Sequence, residues 1–109
     1  MLVKHYAPQA KLVILKWRSG EDLKLQITDY KLQTEEVHVV AHTNIPSQQD
    51  FGRVSVIPHD PEAFARALYA ELHRCDEEGA KLIVVEAPPD EAAWRGIADR
   101  LARAAATGS

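Results

Sequence analysis

Apolar residues in this chain come in short unbroken runs, separated by stretches with helical spacing. Residues 11–17 (Lys-Leu-Val-Ile-Leu-Lys-Trp) form one such run and predict a buried strand. Ser19-Gly20-Glu21-Asp22 predicts a helix start, with Ser19 as N-cap and an acid three residues on. Residues 22–32 fit two patterns: Leu23, Ile27 and Tyr30 share a helical face, while Leu23, Leu25 and Ile27 alternate as in a strand. A short helix is the preferred reading, because the next strand has to be entered in the same sense. Residues 37–41 (Val-His-Val-Val-Ala) predict a second strand. A polar loop with Asn44, Pro46, Ser47 and Gly52 follows, and residues 53–57 alternate as a third strand at an edge.

In the second half, Asp60-Pro61 opens a helix: the Asp caps, and the Pro sits where its missing N–H costs nothing. Phe64, Leu68, Leu72 and Cys75 make its inner face, and Gly79 ends it as a left-handed C-cap. Residues 81–86 (Lys-Leu-Ile-Val-Val-Glu) predict a fourth strand. Pro88-Pro89-Asp90 predicts the start of a last helix, with Trp94, Ile97, Ala98, Leu101 and Ala105 as its inner stripe. The order β-α-β-β-α-β-α predicts a small Rossmann-like, three-layer α/β domain with a mostly parallel sheet of about four strands. Residues 1–10 read as an extended arm, 11–106 as the domain and 107–109 as a fraying tail.

Composition agrees with one folded domain. The chain has 109 residues, 46% hydrophobic and 27% charged, with a formal net charge of -3. That balance argues against an autonomous nucleic-acid binder. The single cysteine, Cys75, has no internal disulfide partner. No apolar run approaches the ~20 residues of a membrane span, so a cytoplasmic location is expected.

The usual catalytic signatures are missing. The five glycines do not make G-x-G-x-x-G or a Walker A loop, and no G-x-S-x-G is present. His38 and His42 lie four apart on and just after a strand, hence about 13 Å apart at ~3.3 Å per residue, too far to share a metal. They read as partly exposed strand histidines, and no metal site is expected. Cys75, on an inner helix stripe, reads as a small core residue. Glu91 with Arg95, and Asp99 with Arg103, are spaced as solubilising i,i+4 pairs. Arg95, Arg100 and Arg103 have phosphate contact as an alternative role.

Two pieces stand apart: His5-Tyr6-Ala7-Pro8-Gln9-Ala10 before the first strand, and Ile97-Ala98-Asp99-Arg100-Leu101-Ala102-Arg103-Ala104-Ala105 at the end. With Ala67-Leu68-Tyr69-Ala70-Glu71-Leu72, Asp76 and Gly79 between them, they resemble the C-terminal domain of two-domain L-threonylcarbamoyladenylate synthases. In that family a YrdC-type catalytic domain precedes a His-Tyr-Ala-Pro linker and a small Rossmann-like domain. The resemblance runs from His5 to Ala105. It departs at Ala93-Trp94-Arg95-Gly96, where the family has Gly-Leu-Gly, and at Ala98, where it has Asn.

By this resemblance the full enzyme joins threonine, bicarbonate and ATP, with magnesium, into threonylcarbamoyl-adenylate for tRNA modification. The resemblance implies that this chain has no catalytic residue or cofactor of its own and serves a catalytic domain in cis or in trans. His5, Tyr6, Ala7 and Pro8 then form a lid over the partner's active site, and Asp99, Arg100 and Arg103 are candidate interdomain or phosphate contacts. Pro8 supports the lid by restraining Ala7 to extended conformations. Two other readings stand beside this one. A free-standing module without catalysis would bind a small ligand at the carboxyl edge of its sheet, or a protein partner. A tRNA contact would run through Lys4, Lys11, Lys16 and Arg18, against the acidic net charge.

Overall fold

The computed structural model describes residues 10–107. The proposed lid (His5 to Pro8) and Lys4 lie outside the described residues. Four strands form one sheet: β1 (Lys11–Leu15), β2 (Val37–Ala41), β3 (Arg53–Val56) and β4 (Leu82–Glu86). Their spatial order is β1-β4-β2-β3, and every pairing is parallel. Parallel strands need crossovers on the faces, so the inner strands are buried on both sides. That is why β2 and β4 read as nearly continuous apolar runs and have every residue buried.

Three α-helices cover the sheet. Helix α1 (Gly20–Gln26) starts as expected, with the Ser19 side chain accepting from Asp22 N. It settles residues 22–32 in favour of a helix, which continues into a 3₁₀ turn at Thr28–Tyr30. Helix α2 (Pro61–Glu77) is capped by Asp60, whose side chain accepts from Ala63 N. Gly79 beyond it takes φ 82, the left-handed conformation that favours glycine. Helix α3 (Arg95–Thr107) packs along β1.

The core has two halves, one on each side of the sheet. Phe64, Leu68 and Leu72 of α2 and Trp94 and Leu101 near and on α3 cover Leu12, Val40, Ile83 and Val85. Trp17, Leu23 and Phe51 cover Val37, Val39, Val54, Leu82 and Val84 on the other side. Buried Cys75 belongs to the first half. Burial, with Glu71 nearby, pushes its thiol up to about 12, so it is an unreactive core residue.

The last helix corrects the sequence reading. Pro88-Pro89-Asp90 does not open it: a 3₁₀ turn at Ala92–Trp94 comes first, and α3 begins at Arg95. A residue before proline is held extended, and burial of Trp94 sets where the chain can turn. Glu91 therefore precedes the helix, and its spacing from Arg95 is not a helical one. β1 also ends two residues early, because Trp17 leaves the strand to be buried beside α1.

Candidate functional site at the carboxyl edge of the sheet

Chains leaving β1 and β2 pass to the α1 side, while those leaving β3 and β4 lead to α2 and α3 on the other. Neighbouring strands thus send their continuations to opposite faces. This is the switch-point geometry at which open α/β sheets form ligand crevices. Here it opens a cleft of about 300 Å³ lined by Lys16, Trp17, His42, Thr43, Asn44, His59 and the segment from Glu86 to Pro89.

Glu86, the last residue of β4, organises this edge although it is only 4% exposed. Its carboxylate accepts from the backbone N–H groups of His42 (2.9 Å), Thr43 (2.9 Å) and Asn44 (3.1 Å), and from Asn44 Nδ2 (3.3 Å). Burial alone would push its carboxyl up. The three backbone donors and nearby His42 outweigh it, and the carboxyl lies below the usual glutamate range. A carboxylate so engaged holds the loop after β2; its oxygens are committed. Asn44 extends the staple, donating from Nδ2 to Trp17 O (3.1 Å) and accepting from Trp17 Nε1 at its carbonyl (2.6 Å).

Beside Glu86 runs a chain of three polar side chains. His42 Nε2 is 3.0 Å from the carbonyl of Ala87, which can only accept, so Nε2 carries the hydrogen. On a neutral ring, His42 Nδ1 then accepts from the Thr43 hydroxyl at 2.7 Å. Thr43 Oγ1 in turn accepts from His59 Nδ1 at 3.1 Å. The two Nδ1 atoms are 3.0 Å apart. Trp94 lies 5.4 Å from the His59 ring and 6.3 Å from that of His42, and Phe64 lies 5.7 Å from His42, centroid to centroid. The His42 side chain is 5% exposed, whereas His59 is on the surface.

His38 is at the other end of β2. It is 5% exposed, so neither histidine ring is the partly exposed group expected from the sequence: His38 is on a central strand covered on both faces, and His42, just beyond that strand, packs near Phe64 and Trp94. Burial pulls His38 below the ordinary histidine range, and Arg53 reinforces this against Glu78, 3.9 Å away. No three His, Cys, Asp or Glu side chains converge as a metal site among the described residues.

The residues singled out from sequence are dispersed. Arg103 pairs with Asp99 at 2.9 Å on the exposed face of α3, and Arg100 lines a shallow groove between α2 and α3 with Tyr69. None of the three reaches the carboxyl-edge cleft. Lys11 and Lys16 sit at opposite ends of β1, so the basic residues make no single strip. Thr43 and Glu86 were not singled out as site residues. The signal was present in Leu-Ile-Val-Val-Glu: an acid ending a doubly buried strand has to find donors. Nothing in the sequence told that the donors lie 42–44 residues back. The turn after β1 holds one glycine, Gly20, and follows buried Trp17, so it has no glycine-rich phosphate loop.

The fold is that of a small Rossmann-like α/β domain with a carboxyl-edge cleft. The family model described as threonylcarbamoyl-AMP synthase, C-terminal domain, matches residues 1–106, and the chain belongs to that family. Neither a curated protein nor a solved structure matches it. No helix among the described residues is long and apolar enough to cross a membrane.

Proposed function

We propose that this chain is the accessory, regulatory part of a threonylcarbamoyl-AMP synthase and performs none of the synthase chemistry itself. In this reading His5, Tyr6, Ala7 and Pro8 lie over the active site of a YrdC-type catalytic domain, in cis or in trans, and help retain the nucleotide intermediate. ATP and magnesium belong to that catalytic domain. tRNA is served only through the product, in the cytoplasm, and the outer face of α3 with Asp99, Arg100 and Arg103 is available for interdomain contact.

The observation that carries this reading is the anchoring of the arm's last residue. Ala10 is buried, its N–H donates to Asp76 Oδ1 at 3.1 Å, and Lys11 N donates to Lys81 O at 3.1 Å. A lid acts on a partner only if its root is fixed, since a loose root returns the ordering entropy that docking must overcome. Tyr6 supplies a ring and a hydroxyl for the covered site, and Pro8 limits the conformations the arm must give up.

The test is made in a full-length synthase carrying this domain. Tyr6→Ala and Pro8→Gly are expected to lower turnover roughly tenfold or more, or to release intermediate. Asp76→Ala, which frees the root, is expected to do the same more weakly. Unchanged turnover together with unchanged retention in both arm variants rules the lid out.

A further inference from the structure

The cleft lies at the carboxyl end of β1, whereas Ala10, where the arm joins the sheet, lies at its amino end, and the lid reading makes no use of the cleft. Its lining contains one carboxylate, Glu86, and that group is buried and turned to the loop amides that hold it. What remains for an incoming molecule is the ammonium of exposed Lys16 and the exposed ring of His59, since the Thr43 hydroxyl hydrogen is spent on His42. In the hydrogen-bond chain described above, His59 spends Nδ1 on Thr43. Its Nε2 is left out of the chain. α2 and α3 also begin on this side of the molecule, one at Pro61 just after His59 and the other just after Trp94, which touches the His59 ring. Helix starts carry partial positive charge.

Of these groups the His59 ring is held before any ligand arrives. His59 is a surface residue, yet its ring is fixed by Thr43, by His42 and by the buried indole of Trp94. A merely solvated surface histidine has no need of such support. Support of this kind behind an exposed polar group is the arrangement of a binding site. The volume, about 300 Å³, is at the small end of the range for small-molecule sites. Pro88, Pro89 and Ala87 give one wall an apolar character.

We propose that this cleft is a binding site for a compact small-molecule anion. Lys16 and His59, the latter donating from Nε2 as the imidazolium, would grip the phosphate or carboxylate group, and the Ala87–Pro89 wall would pack on the remainder. The site is separate from the synthase reaction and gives the domain a ligand of its own.

The test is an NMR titration of this 109-residue chain at constant ionic strength, following backbone amides and the imidazole nitrogens. Inorganic phosphate and acetate are the two probes, with sodium chloride as the reference. Saturable shifts at Lys16, Thr43 and His59, with a Kd below about 1 mM for either probe, are the expected result. Saturation by phosphate alone assigns a phosphorylated ligand, and saturation by acetate alone a carboxylate. Lys16→Ala and His59→Ala change exposed side chains and leave the core intact; each is expected to weaken binding at least tenfold. Shifts that follow chloride equally, fail to saturate, or persist in both variants would overturn the proposal. Because the titration contains no catalytic domain, its outcome is independent of whether the arm acts as a lid.

Discussion

The two ends of the sheet treat a buried titratable group in opposite ways. At the carboxyl edge Glu86 is charged and surrounded by donors, three from consecutive backbone amides. At the amino edge His38 is kept neutral by burial, and its Nδ1 has no hydrogen-bond partner, as is true of Glu71 Oε1 in α2. Arg53 and Glu78, 2.7 Å apart, close over that end without bonding His38. The carboxyl edge therefore depends on one charge remaining in place, while the amino edge depends on a charge staying away. A polar group with all its bonds made can rigidify a loop, whereas one without them only tolerates its surroundings.

The comparison is broken most severely by Glu86→Ala. It leaves the amides of His42, Thr43 and Asn44 without their acceptor. A loss of about 3–5 kcal/mol is expected in urea unfolding, with the loop after β2 losing amide-exchange protection. Glu86→Gln, which keeps the shape and loses the charge, should cost less. The next effect in size is at the other end, at Gly52→Ala. An added Cβ would sit 2.1 Å from the carbonyl oxygen of Glu35 and 3.3 Å from the His38 ring. Backbone would have to move, and about 2–3 kcal/mol of destabilisation is expected.

The smallest effect sharpens the contrast through pH. A histidine held below its unfolded value adds stability above that value, and the stability is lost as pH falls from near 6.5 through the folded value. A glutamate held below its unfolded value behaves alike, but its loss begins only in the ordinary glutamate range and continues lower. Two acid limbs are thus expected in a plot of stability against pH. His38→Leu should erase the upper one and leave the lower. Survival of the upper limb in that variant would separate it from His38.

Much of the architecture was legible because strand burial and helix capping are local. Val37–Ala41 and Leu82–Glu86 announce their two-sided burial in unbroken apolar runs, and Ser19 and Asp60 cap where their side chains can reach the next amides. The start of the last helix was not legible, since Trp94 is placed by the core and not by its neighbours in sequence. The carboxyl-edge site was hidden for a related reason. Glu86 meets His42 only because β4 inserts between β1 and β2, and no pattern within a run of residues specifies that order. The arm motif was visible as residues alone.

That insertion also sets a timetable. β1 is made first, yet its partner in the sheet is β4, with Lys11 opposite Leu82. The first strand has no neighbour until about 70 more residues have been synthesised, roughly 4–14 s at ordinary translation rates. The residue that ties Ala10, Asp76, also arrives late. Anything preceding this domain on a ribosome-bound chain therefore has those seconds to fold before Ala10, the root of the arm, is fastened.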